Sequence, residues 1–374
     1  MDFGVPKEIR ARERRVGLTP SGVLSLVRHG HVVYVETNAG AGAGFGDAEY
    51  RDAGAKIVYS AAEAYGRADV VVKVSRPTAA EHSLFRTGQT IFSFLYLPVA
   101  SPDLLQACRE RTITAVAFEM IQEADGSLPV LLPTSELTGR LAPIIAGRLL
   151  MTDRGGRGVL LSGIPGVPPA AVVIIGGGVL GVNAARAFLG LRAEVTVLDR
   201  DLQRLQVVDD MLDGRITTML SNHHNIQRAV AWADVLVTAI QTPGQRAPII
   251  VTRDMVRRMR RGSVIMDFSI NHGGCVETSR PSTLVDPVYE VDGVLHYCVP
   301  NVAANVARTG SYALNNAALP YLRAIGEHGM DAMVTRSPAL VQGINIYQGK
   351  LVHPAVAADL GLPLDMDLAS GATV

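Results

Sequence analysis

The 374 residues, 39.8 kDa in all, are 48% apolar and 19% charged, which is core material for about two ordinary domains. Lys+Arg and Asp+Glu both number 35, and that balance argues against the polyelectrolyte attraction behind binding to nucleic acid or an anionic membrane. Cys108, Cys275 and Cys298 are too few and too scattered for a disulfide framework or a metal knuckle. They are expected as reduced core thiols, and no metal is expected.

In chain order, short β-branched runs alternate with helical spacing. The front half offers strands at FGVP (3–6), HVVYVE (31–36), AKIVY (55–59), ADVVVKV (68–74), QTIFSFL (89–95) and TITAVAF (112–118). Helical spacing fills 19–30, 61–67 and 101–111, with Thr19 and Ser101 as N-caps each followed by proline. A long helix over 135–151 leads into a glycine-rich loop, 154–169. A second strand series follows at 170–175, 193–199, 215–220, 234–240, 263–269 and 294–299. The apolar stretch 168–185 carries three glycines and stops at Arg186, short of the ~20 residues of a spanning helix. With no secretory signal at the start, a soluble cytoplasmic protein is expected.

Strand, helix, strand in repetition means parallel βαβ units. The fold class is therefore α/β, two doubly wound Rossmann-like domains with a cleft between them. The helical tail from Ser311 shows no strand series of its own and is expected to pack back on the first domain. The domains are then 1–134 plus 308–374, discontinuous, and 135–307.

The strongest motif is Gly176-Gly177-Gly178-Val179-Leu180-Gly181, a G-x-G-x-x-G between an apolar strand and a helical pattern. Gly176 permits a tight turn, and Gly178 lets the backbone approach a pyrophosphate. Gly181 seats the helix close to the strand, while free N–H groups at Val179 and Leu180 attract the anion. Asp199 ends the next strand, 199 − 176 = 23 residues on, and suits a ribose 2′-hydroxyl. The 135–307 domain thus reads as an NAD(H) site. Arg200 leaves NADP(H) open, because an arginine there can meet a 2′-phosphate.

Almost end to end, the chain resembles the family of alanine dehydrogenase and the NAD-binding part of nicotinamide nucleotide transhydrogenase. The likeness is carried by VPKE (5–8), RRVGLTP (14–20), LPVLLPTSELTGRLA (128–142), GGRGVLLSGIPGVPPA (155–170), VIIGGGVLGVNAAR (173–186), GGCVETSRP (273–281) and SYALNNAALPY (311–321). It implies that Arg15 holds a substrate carboxylate, a role suited to an arginine fork. The family's substrate lysine falls on Ser75 and its acid/base histidine on Tyr96. Its second aspartate falls on Asn271 in DFSINHGGC, where Asp267 keeps the first and reads as structural. Lys73, two residues before Ser75, is a candidate substitute cation that could also lower the Tyr96 pKa. His272 is a candidate replacement base. Asn301 is a further candidate substrate contact, and Ser135 and Ile240 are further candidate cofactor contacts.

Losing a cation, a neutral-pH base and an anion at three positions predicts an NAD-dependent oxidoreductase acting on a different small amino, imino or oxo acid. Two alternatives stand beside it: a non-catalytic NAD(H)-binding redox sensor, and an authentic L-alanine dehydrogenase. A transhydrogenase-type hydride donor also fits the missing lysine, although no membrane segment or second nucleotide domain is in view. The resemblance further implies a carboxylate-bearing small-molecule substrate and a homo-oligomer, hexamer or dimer.

Overall fold

The computed structural model describes residues 1–368. They form two compact units. Of the described residues, the first holds Met1–Thr134, Pro243–Gln245 and 304–368; the second holds Ser135–Thr242 and Arg246–Ala303. The return to the first unit thus comes at 304, four residues before the 308 expected from sequence. The chain crosses there in the short 3₁₀ segment Val302–Val306, ahead of the helix Ala307–His328.

The first unit's sheet contains β1 (Asp2–Val5), β2 (Val32–Glu36), β3 (Lys56–Val58), β4 (Val70–Ser75), β5 (Thr90–Phe94) and β6 (Thr114–Ala117). These six lie parallel in the order β3-β2-β1-β4-β5-β6. That is the doubly wound order, whose direction of winding reverses between β1 and β4. Beyond β6 the sheet gains an antiparallel hairpin, Ile344–Tyr347 with Lys350–Leu351. The tail is therefore not purely helical as its pattern suggested. The hairpin's signal is Gln348-Gly349, which adopt φ of 48° and 80°, as a two-residue hairpin turn requires.

The second unit repeats the plan. It contains β7 (Ala171–Ile175), β8 (Glu194–Asp199), β9 (Thr217–Leu220), β10 (Val235–Thr238), β11 (Val264–Asp267), β12 (Val288–Val291) and β13 (Val294–Tyr297). The order is β12-β13-β11-β10-β7-β8-β9, with only β12 antiparallel.

Both sheets are covered on two faces, which is why their strands read as continuous apolar runs. Along β4, Val70, Val72 and Val74 enter one core while Val71 enters another with Ile91 and Ala115. Along β7, Val172 and Ile174 separate from Val173 and Ile175 in the same way. The three cysteines are free and buried. Thr19 and Ser101 do stand before their helices with proline following, but neither side chain caps the helix, and Thr19 Oγ1 pairs with Ser21 instead. Among the described residues, no helix is long and apolar enough to cross a membrane.

Candidate active and cofactor sites

In the second unit, the loop after β7 lies at the switch point between β7 and β10. Gly176 takes φ 112°, a conformation closed to most side chains, and its N–H donates to the Leu198 carbonyl. At Gly181 a Cβ would fall 1.8 Å from the Gly176 oxygen, so the helix Val179–Gly190 can start this close to the turn only on glycine. At Gly178 a Cβ would meet nothing within 4 Å: that space is open to a ligand. No side chain caps this helix, and its first N–H groups, Val179 and Leu180 among them, remain for an anion.

Asp199 ends β8 and is 6% exposed. Its Oδ2 accepts the Gly177 N–H at 2.7 Å and its Oδ1 the Asp201 N–H at 3.0 Å, so the carboxylate is fixed beside the loop with lone pairs to spare. Arg200 is exposed, and it is Arg204 that comes within 3.9 Å of Asp199. A glycine cradle with open space and an aimed carboxylate fits the pyrophosphate and ribose of NAD(H).

Ile240 follows β10, and its N–H donates to Ser269 Oγ at 2.9 Å. Ser135 lies in the first turns of the helix Leu132–Leu149, half-buried. Asn271 and His272 end the 3₁₀ turn after β11. Asn271 Nδ2 donates to the Pro300 carbonyl at 2.9 Å, tying its loop to the residue before Asn301. Asp267 is fully buried and accepts from Thr238, Ser269, Cys275 and Val276, which makes it the organiser of this loop.

In the first unit, Arg15, Ser75 and Tyr96 gather at the carboxyl ends of β1, β4 and β5, around that sheet's own switch point. Arg15, 5% exposed, makes a bidentate pair with Glu13: Nε to Oε1 at 2.8 Å and Nη2 to Oε2 at 2.7 Å. Burial alone would lower the guanidinium's pKa, but Glu13 more than offsets it and leaves it raised. Ser75 Oγ donates to the same Glu13 oxygen at 3.4 Å. Tyr96 sits at φ 44°, ψ 52°, held there by Glu119, whose carboxylate accepts the Tyr96 N–H at 2.6 Å and the Leu95 N–H at 3.1 Å. Burial pushes the Glu119 carboxyl up to about 7.

Lys73 does not stand in for the missing lysine. It is fully buried, with Nζ 2.8 Å from Glu81 and 3.3 Å from Glu8, and those two carboxylates hold its charge against a heavy burial penalty. Glu8 also accepts the Val74 and Ser75 N–H groups, and the β4–β5 register shifts between Val72 and Ser75. Nor is the Tyr96 phenol lowered toward neutrality by Lys73. Burial and Glu119 raise its pKa far above the ordinary value, against the opposing pull of Arg15 and Arg76. Tyr96 is therefore a neutral hydrogen-bond donor. Sequence reasoning overlooked Glu13, Glu119 and Arg76. Only Glu13 carried a signal, its place two residues before Arg15.

Two family models match the chain, one for the alanine dehydrogenase/PNT N-terminal domain over residues 4–138 and one for the C-terminal domain over 142–354. An alanine dehydrogenase of Methanococcus maripaludis is 45% identical over 364 residues, covering 97% of both chains. One from Mycobacterium tuberculosis is 43% identical over 363 residues, 97% of this chain and 98% of that one. Among solved structures, an L-alanine dehydrogenase is 44% identical with a TM-score of 0.88, covering 96% of this chain and 99% of that one. A transhydrogenase from Sinorhizobium meliloti is 27% identical with a TM-score of 0.78, covering 95% and 100%. Likeness of this extent favours the alanine dehydrogenase reading over the different-substrate reading that Ser75, Tyr96 and Asn271 suggest.

Proposed function

The chain belongs to the alanine dehydrogenase/PNT family and is an NAD-dependent oxidoreductase, and from that premise we propose that it oxidatively deaminates small L-2-amino acids, L-alanine among them. The observation that carries this reading is Arg15 locked in plane by Glu13. With Nε and one edge of Nη2 taken, the Nη1/Nη2 edge of the fork is left for a carboxylate.

In the oxidative direction the substrate ammonium gives a proton to water, and loss of a hydride from Cα of the free amine then leaves an iminium. Water adds to that iminium, and ammonium departs to leave the 2-oxo acid. NAD supplies the hydride acceptor, and Gly176, Gly178, Val179, Leu180, Gly181 and Asp199 are the residues to hold it, with Ser135 and Ile240 beside them. On this chain's side, the Tyr96 hydroxyl donates a hydrogen bond to the heteroatom on the reacting carbon, and Ser75 Oγ, steadied by Glu13, orients it. Asn271 offers a neutral amide where the family pattern has an aspartate, and Asn301 is a further candidate substrate contact.

The test is absorbance at 340 nm with L-alanine and NAD, and in reverse with pyruvate, ammonium and NADH. Turnover of about 1–1,000 per second is expected. A second reading rests on Ser75, Tyr96 and Asn271, which remove a cation, a neutral-pH base and an anion: a different small amino or oxo acid is then the substrate. Inactivity with L-alanine beside activity with another 2-amino acid selects it. NADH binding without turnover of any substrate selects the redox-sensor alternative instead. The reading includes a cytoplasmic homo-oligomer, whose mass light scattering measures.

A further inference from the structure

Buried or half-buried cations at the carboxyl edge of the first sheet are nearly all paired. Lys73 lies between Glu8 and Glu81, and Arg15 is clamped by Glu13. Arg76 differs. It follows Ser75 directly, is half-buried, and its Nη1 reaches only the Leu95 carbonyl, at 3.4 Å. The carboxylate that acts on it is Glu119, whose oxygens accept the Leu95 and Tyr96 N–H groups. Arg10 adds a like charge by donating from Nε and Nη2 to the Arg76 carbonyl. Burial and Arg10 both lower the Arg76 pKa, the mark of a guanidinium short of a counter-charge.

The place of this cation is informative. The Tyr96 ring is near enough to both Arg15 and Arg76 to feel each of them. Arg76 follows Ser75, and its Nη1 lies on the carbonyl of Leu95, the residue before Tyr96, which puts a further guanidinium on the same strand ends as Ser75 and Tyr96. We propose that Arg76 is a specificity-determining residue that binds a second, side-chain carboxylate, so that the site favours 2-amino dicarboxylic acids over L-alanine. This rests on the amino-acid dehydrogenase reading above and narrows its substrate class.

Oxidative deamination of L-alanine, L-aspartate and L-glutamate by the wild type, Arg76→Gln and Arg76→Lys tests it. The wild type is expected to show about tenfold higher kcat/KM for one of the two dicarboxylates than for L-alanine. Arg76→Gln should reverse that ratio through KM, and Arg76→Lys should recover part of it, since a point charge replaces a planar fork imperfectly. A proportional loss for all three substrates, or none, overturns the proposal. A second arm needs no turnover: calorimetric titration of succinate and of propionate in the presence of NADH. Succinate should bind about tenfold more tightly than propionate, and Arg76→Gln should remove the difference. Equal affinities in the wild type overturn it. Arg76-dependent succinate binding without any amino-acid oxidation upholds the anion site while the dehydrogenase reading fails. Thermal unfolding of both variants confirms that each is folded.

Discussion

Both units wind their first five strands in the same order and place a candidate site at the equivalent switch point, but they build it from different materials. In the second unit the working parts are backbone: a glycine turn, open N–H groups and one carboxylate anchored to Gly177. In the first unit they are ionisable side chains buried among their partners: Arg15 with Glu13, Lys73 with Glu8 and Glu81, and Glu119 on two N–H groups. Backbone geometry demands particular residues at particular spacings. A buried charge network demands only that charges balance, so its members can change identity while the fold persists.

The sharpest way to break this comparison is at the loop. Gly181→Ala puts a methyl 1.8 Å from the Gly176 oxygen, where a backbone atom cannot step aside. It should cost about 3 kcal/mol of stability or more and abolish NADH binding. Gly178→Ala meets open space. Its stability should hold within ~0.5 kcal/mol, while NADH affinity falls at least about tenfold, or ~1.4 kcal/mol, because the methyl occupies the pyrophosphate's approach. Thermal unfolding and NADH fluorescence read the two effects separately. Wild-type NADH affinity in Gly178→Ala would remove this loop from the site.

On the other unit, Tyr96→Phe keeps the ring and its stacking on Phe94 while deleting one hydroxyl. Turnover should fall about 100-fold, the ordinary weight of general acid help, with NADH affinity unchanged. His272→Ala should cost much less. If the phenylalanine variant stays near the wild-type rate while the alanine variant is inactive, the proton runs through His272.

What could be read from sequence follows the same division. The β-branched runs placed both parallel series to within a residue or two, because strands buried on two faces must be apolar throughout. The edge strand β12 and the hairpin of Ile344–Tyr347 with Lys350–Leu351 escaped, being at most four residues per strand and fixed by their hairpin partners. G-x-G-x-x-G and Asp199 carried the cofactor loop because each residue answers to a geometric need. Lys73 misled, since strand alternation cannot show that Glu8 and Glu81, from elsewhere in the chain, enclose it. Arg76 and Glu119 gave no local sign, as their chemistry depends on which backbone groups three separate strand ends bring together.

A smaller effect sharpens the second unit's role. Asp199→Asn keeps an oxygen for the Gly177 N–H but weakens acceptance from a ribose hydroxyl. NADH binding should drop by about 1–2 kcal/mol, with NADPH affected less, because Arg204 no longer faces a carboxylate. Titration of both cofactors decides it, and an unchanged NADH affinity would take Asp199 out of recognition.

The smallest effect belongs to Glu119 and is read in the pH dependence of stability. Its carboxyl is raised from an ordinary 4.5 to about 7 in the folded chain, chiefly by burial. Between those two values the native state keeps the proton and the unfolded state has released it. Stability must therefore fall as pH rises through this window, and a group that cannot ionise escapes the loss. Glu119→Gln retains one oxygen to accept the Tyr96 N–H while its NH2 faces the Leu95 N–H, a loss that lowers stability equally at every pH and leaves the pH dependence readable. Its stability, compared with the wild type by urea unfolding at pH 5.5 and pH 7, should gain on the order of 1 kcal/mol across that interval. Glu8 is also raised by burial and tilts both curves alike, so only their difference reports on Glu119. A difference that stays flat with pH would mean that Glu119 is ionised throughout. The counter-charge missing at Arg76 would then already be in place, making the two measurements a joint test of how this network is charged.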